Sequence, residues 1–319
     1  MSIEVGQFPT HESIRQAAQR IAPHAHRTPV FRSATLDAMS GASLFFKCEN
    51  FQRVGAFKFR GACNAVFGLS DAEAARGVTA HSAGNHAQAL ALAAKLRGIP
   101  AWIVMPKNAP EVKKAAVAGY GASIRYCEPT LQAREETTAQ IIAETGATLV
   151  HPYDDYAVIT GQATAALELV EEVPDLDAVI APVSGGGLLA GTALAVHYAS
   201  PGTRVVGGEP AGADDAYRSL KAGRIIPSEN PKTIADGLLT SLGEKNFPIL
   251  QRLVSEIALV SDEETMHATR LVWERMKLVI EPSAGVGVAA VLEHRFAVAG
   301  KRIGIILSGG NVDIELARR

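Results

Sequence analysis

Short runs of β-forming residues alternate with longer helical patterns along almost the whole chain, and this alternation most limits what the chain can fold into. The β-rich runs fall at residues 44–47, 78–81, 101–105, 123–126, 179–182, 205–208 and 303–307. Between them, helical patterns occupy 86–96, 111–118, 131–144, 160–171, 188–198 and 263–276. A strand, a helix and a further strand make a βαβ unit, whose crossover gives parallel strands and covers the faces of the sheet. The expected class is α/β, with open, mostly parallel, twisted sheets flanked by helices and joined by right-handed crossovers. Residues 71–151 hold a self-contained β-α-β-α-β-α-β run, flanked by Gly68-Leu69-Ser70-Asp71 and by His151-Pro152-Tyr153. Two domains are expected: a small one, 71–151, inserted into a large one built from 1–70 and 152–319.

Charge and cysteine usage narrow the function classes. A formal net charge of −2, with no basic run, argues against a nucleic-acid or membrane-surface partner. Cys48, Cys63 and Cys127 are far apart and form no Cys-x-x-Cys, so neither a disulfide framework nor a zinc site is expected and a reducing compartment fits. The N-terminal stretch lacks the basic-then-apolar order of a signal peptide. No uncharged apolar run approaches the roughly 20 residues of a membrane span. The expectation is a cytoplasmic protein that acts on a small molecule, with a C₂ homodimer as the commonest assembly.

Three strand ends share one design, an apolar strand followed by Ser and small residues. They are Ser82-Ala83-Gly84-Asn85-His86, Ser184-Gly185-Gly186-Gly187-Leu188 and Ser308-Gly309-Gly310-Asn311. Ligands of open parallel sheets bind at the carboxyl ends of strands, and free N–H groups at a following helix start hold anions. The triplet Gly185, Gly186 and Gly187 is the best phosphate cradle in the chain; the plain alternative is a tight turn without ligand. A dinucleotide-binding dehydrogenase is a rival reading, because Gly185, Gly187 and Gly191 are followed by a strand ending at acidic Glu209. Against it, the spacing is G-x-G-x-x-x-G and the segment lies late in the chain.

Lys58 sits between two aromatics in Gly55-Ala56-Phe57-Lys58-Phe59-Arg60-Gly61. Desolvation there would lower the amine's pKa and free it to form a Schiff base, although most lysines are simply solvated. Taken together, Lys47-Cys48-Glu49-Asn50, the Lys58 segment, the three serine turns, Trp273-Glu274-Arg275-Met276-Lys277 and Glu281-Pro282-Ser283-Ala284-Gly285 resemble one family over nearly the whole chain. The chain looks like the serine racemase and threonine/serine dehydratase group, pyridoxal-phosphate (PLP) enzymes of two-domain, fold-type-II architecture.

The resemblance implies specific roles. Lys58 would carry PLP covalently and act as the catalytic base. Phe57 would cover one face of the ring, Asn85 would donate to its 3′-oxygen, and Ser308 would meet its nitrogen. Gly185, Gly186, Gly187 and Leu188 would bind the phosphate through backbone N–H groups. Ser82, Ala83, Asn85 and His86 would form the turn that holds the substrate carboxylate. The cofactor would be the electron sink, with the protein supplying orientation and charge placement. Racemases of the group carry a second serine in the first motif, which returns a proton to Cα. Here that residue is Ala83, which has none to give. β-Elimination of water is therefore expected ahead of racemisation, with the product hydrolysing to a 2-oxo acid and ammonia.

Arg134 is either a solvated helix charge or, as in serine-racemase-like members, a group that reaches a carboxylate-bearing ligand. The second reading makes 3-hydroxyaspartate the expected substrate, giving oxaloacetate, with serine and threonine as competitors. Glu209, the carbonyl of Ala213 and Asp215 match the group's divalent-cation site, suited to Mg²⁺ or Ca²⁺ and open to Mn²⁺. The plain alternative is an acidic helix start. His81, His151 and His267 are expected to be turn or surface histidines.

Overall fold

The computed structural model describes residues 8–313. Ten strands follow one another in it: β1 (Val30–Phe31), β2 (Ser43–Cys48), β3 (Val78–His81), β4 (Ala101–Pro106), β5 (Ser123–Cys127), β6 (Thr148–Leu149), β7 (Ala178–Pro182), β8 (Arg204–Pro210), β9 (Glu256–Val260) and β10 (Arg302–Leu307). They form a six-stranded sheet in the order β1-β2-β10-β7-β8-β9 and a four-stranded sheet in the order β5-β4-β3-β6. Every pairing is parallel except that of two-residue β1 with β2. The α/β expectation is met, and all seven expected strands are present with ends shifted by at most two residues.

The central strands are apolar along their length because both faces are covered. β7 is buried throughout, and β2 and β10 are buried beyond their first residue. One face of the large sheet packs on helices Tyr156–Glu172 and Gly187–Ala199, the other on Pro282–Leu292. Each fully buried Leu, Ile or Phe there contributes about 1.5–3 kcal/mol. Helix Lys58–Gly68 packs with β3, β4 and helix Asn85–Arg97 of the small sheet, and also with Val158 of helix Tyr156–Glu172. It therefore carries Lys58 where the two sheets' layers meet. No helix among the described residues is long and apolar enough to cross a membrane.

Helix starts differ in how their first N–H groups are met. Thr130, Asp155 and Ser261 cap their helices with side-chain oxygens, as sequence rules predict. Helices Asn85–Arg97 and Gly187–Ala199 start instead after Gly84 and Gly186, with no side-chain cap. These two glycine-led starts follow strands at their carboxyl ends, β3 and β7.

Candidate active site

Lys58 opens its helix directly after Phe57, whose backbone N–H donates to the carbonyl of Ser308 at 3.0 Å. An isolated bridge joins Ala56 to Gly309 alongside. The Lys58 ammonium donates to the Pro152 carbonyl at 2.8 Å and lies 5.1 Å from the centre of the Phe57 ring. Desolvation lowers its pKa from 10.5 to about 8, with the charge of Glu281 opposing that shift. Ser308, directly after β10, is buried.

Behind Lys58 lies a buried charge network. The Arg60 guanidinium donates to both oxygens of Glu49, each at 2.8 Å, and to those of Glu168 at 2.7 and 2.8 Å. Lys47 also donates to Glu168, at 2.6 Å. Two cations and two anions balance, and the pairing holds Glu168 below the usual carboxylate range against its burial. This network pins the first turn of the Lys58 helix to the end of β2.

The glycine turn after β7 is open to an anion. Gly186 adopts φ +96°, a conformation that favours glycine. No hydrogen-bond partner meets the N–H groups of Gly185, Gly186, Gly187 or Leu188 among the described residues. Four unpaired donors at the start of a 13-residue helix fit a phosphate group. Leu188 contributes only its backbone, since its side chain is buried in the core. The Tyr153 ring lies flat against Gly185, where an added Cβ would come within 2.4 Å of it. Asn246 donates to the carbonyls of Gly185 and Tyr153, both at 2.9 Å, and clamps the two segments together.

The turn after β3 is a second open helix start. The N–H groups of Asn85, His86 and Ala87 have no partner among the described residues, which suits a carboxylate. Ser82 and Ala83 are half-buried at its mouth, and the Ser82 hydroxyl accepts from the N–H of Gly84 at 3.3 Å. His86 brings only its backbone here. Its ring turns inward, within 2.9 Å of the Val150 carbonyl, and burial lowers its pKa to about 3, so the neutral ring donates to that carbonyl.

The Asn85 side chain meets two residues that sequence reasoning left without a role. Its amide nitrogen lies 3.1 and 3.3 Å from the two oxygens of Glu281, and its oxygen lies 2.9 Å from the amide nitrogen of Asn311. Glu281 is buried, and desolvation raises its pKa to about 7.

Arg134 lies in helix Leu131–Thr145. Among the described residues its guanidinium has no ion-pair partner, and its Nε is buried without a hydrogen bond. Its charge helps to lower the pKa of His81, after desolvation. The His81 ring meets His151 edge-on at 6.2 Å, and His151 meets Tyr153 edge-on at 4.7 Å. Desolvation lowers His151 to about 4, and its Nδ1 accepts the N–H of Asp154 at 2.9 Å. The expectation of plain turn or surface histidines is corrected for His81 and His151, which are half-buried and meet each other, while His267 is exposed as expected.

Glu209 is fully buried and its two oxygens accept the N–H groups of Ala216 and Tyr217, each at 2.8 Å, at the start of helix Asp215–Ala222. That arrangement occupies the carboxylate on which the dinucleotide reading relied. Desolvation raises Glu209 to about 8 and Asp215 to about 6. Asp215 Oδ2 is buried with no partner, and Ala213 is buried beside it in chain order. Among the described residues, no group of three or more His, Cys, Asp or Glu side chains gathers as a metal site. An orphaned hard oxygen beside a buried carboxylate nonetheless suits a divalent cation completed by carbonyl and water oxygens.

A family model described as pyridoxal-phosphate dependent enzyme matches residues 21–309. The beta-hydroxyaspartate dehydratase of Paracoccus denitrificans (strain Pd 1222) is 53% identical over 308 residues, covering 97% of this chain and 98% of that protein. The crystal structure of serine racemase from Dictyostelium discoideum matches with a TM-score of 0.93 at 47% identity, covering 97% of this chain and 100% of that one. The crystal structure of a threonine deaminase from T.th. matches with a TM-score of 0.91 at 45% identity, covering 96% of this chain and 99% of that one.

Proposed function

The chain belongs to the family of pyridoxal-phosphate dependent enzymes, and on that premise we propose that it converts 3-hydroxyaspartate to oxaloacetate and ammonia. PLP, when bound, supplies a sink for the electron pair left at the Cα of an amino acid. Lys58 would carry it, with Phe57 against the ring, Asn85 and Ser308 at the ring's polar atoms, and the N–H groups of Gly185 to Leu188 on the phosphate. The ε-amine of Lys58, with a pKa lowered to about 8, accepts the Cα proton. The N–H groups of Asn85, His86 and Ala87 hold the α-carboxylate; the β-hydroxyl leaves with a proton as water, and water then hydrolyses the imine of the released product to oxaloacetate and ammonia. Ala83 offers no proton for return to Cα, which favours elimination over racemisation.

The observation that carries the substrate assignment is the guanidinium of Arg134, unpaired among the described residues and with a buried, unsatisfied Nε. A second substrate carboxylate satisfies it by a charge-assisted pair. The 53% identity to a beta-hydroxyaspartate dehydratase supports the same choice. Comparing kcat/KM for 3-hydroxyaspartate, serine and threonine tests it: the dicarboxylic substrate is expected to lead, and equal or higher values for serine or threonine would give the reading to the simpler dehydratases.

Glu209, the Ala213 carbonyl and Asp215 would hold Mg²⁺ or Ca²⁺, with Mn²⁺ as an alternative. We further propose that residues 71–151 form the small domain and that the enzyme works as a cytoplasmic homodimer. Three free, buried cysteines support a reducing compartment.

A further inference from the structure

We propose that Asn311 is a positioning residue whose side-chain amide fixes which end of the Asn85 carboxamide faces the cofactor; this rests on the PLP reading above. The chain of contacts starts at the backbone carbonyl of Val54, an acceptor that cannot exchange roles. Asn311 Nδ2 donates to it at 2.7 Å, which sets the orientation of the Asn311 amide. The same nitrogen lies 2.9 Å from Asn85 Oδ1, and a nitrogen that only donates requires an oxygen there. The NH₂ of Asn85 is thereby turned to the other side, where both oxygens of Glu281 lie within 3.1 and 3.3 Å. Carboxylate oxygens accept, so Glu281 demands the same orientation. Flipping Asn85 would set oxygen against oxygen at Glu281 and nitrogen against nitrogen at Asn311. One orientation satisfies every contact, and it presents a donor, with two hydrogens to divide between Glu281 and the ring's 3′-oxygen.

The anchoring carbonyl is itself held in an unusual place. Val54 is β-branched and adopts φ +57°, a disfavoured region for such a residue. Gly55 follows at φ +70°, where an added Cβ would come within 2.7 Å of Asn311 Oδ1. The Gly310 N–H donates to the Gly55 carbonyl at 2.9 Å, closing the contact from the other strand end. Three residues later the chain reaches Lys58. Asn311 therefore ties the strained turn ahead of the lysine to Asn85 across the site.

Asn311→Asp keeps the shape of the side chain and removes its donor. The experiment measures, on holoenzyme, the PLP dissociation constant and the pH titration of the bound cofactor's absorption band. It compares wild type, Asn311→Asp, Asn311→Ala, Asn85→Ala and the double variants, with melting temperatures alongside so that misfolding of one Asn311 variant leaves the other. Each Asn311 variant is expected to weaken PLP about fivefold, as for a net hydrogen bond, and to displace the band's titration midpoint. In the Asn85→Ala background the same substitutions are expected to add nothing. Unchanged affinity and spectrum, or an equal further loss without Asn85, would overturn the proposal. Wild-type protein that takes up no PLP on Lys58 would overturn the cofactor reading together with it, and is told apart because no mutation is involved.

Discussion

The Lys58 ammonium and the Pro152 carbonyl meet at 2.8 Å, joining the start of the lysine-bearing helix to the segment that follows the small sheet. The same segment lays Tyr153 on Gly185 and is clamped to the glycine turn by Asn246. One stretch of chain, 151–155, thus sets the spacing between the amine and the anion cradle.

Burial of that amine has a measurable consequence. With its pKa lowered from 10.5 to about 8, Lys58 is largely neutral and nucleophilic at pH values where a solvated lysine is not. The initial rate of PLP uptake by apoprotein is expected to rise with pH and to level above about 8. Between about 8 and 10.5 the folded state binds fewer protons at Lys58 than the unfolded chain, so this group makes apoprotein stability increase with pH across that window. Uptake that keeps climbing toward 10.5 would contradict the assignment.

Arg134→Ala is expected to lower kcat/KM for 3-hydroxyaspartate by about 10- to 100-fold, the loss of a hydrogen bond between charged groups. Serine, with one carboxylate, is expected to change little. Equal losses on the two substrates, measured by release of the oxo acid, would remove the second-carboxylate contact.

Ala83→Ser restores a hydroxyl at the position that lacks a proton donor. Interconversion of the serine enantiomers, followed by chiral chromatography, is expected to rise by about 100-fold, the scale of a positioned general acid. No gain over wild type would show that Ala83 does not set the reaction's outcome.

Much of this site was legible in the sequence, and the reason is local. β3, β7 and β10 are short apolar runs ending in small residues, so the three strand-end turns stand out as patterns. Helices Lys58–Gly68 and Pro282–Leu292 were not legible as helices. Phe59 to Val66 and Pro282 to Val291 are buried without interruption, which erases the polar face that reveals a surface helix. β1 and β6, at two residues each, carry no period at all. The contacts of Asn85 with Glu281 and Asn311 span 196 and 226 residues, and no local pattern reports pairings of that range. His81 and His151 were misread for the same reason, since they meet only once β3 and the segment after β6 are paired side by side.

The buried carboxylates of Glu209 and Asp215 predict a response to divalent ions. Millimolar Mg²⁺ or Ca²⁺ is expected to raise the melting temperature of chelator-treated protein, by mass action on the folded state. Glu209→Gln with Asp215→Asn is expected to abolish that rise. A melting temperature indifferent to chelator and to added ions would leave the pair as a helix-start arrangement alone.

The most direct measurement is borohydride reduction of the holoenzyme followed by peptide mass analysis. A cofactor adduct is expected on the peptide that holds Lys58, with the visible band lost in Lys58→Ala. Reduced protein in which that peptide keeps its unmodified mass would contradict the account.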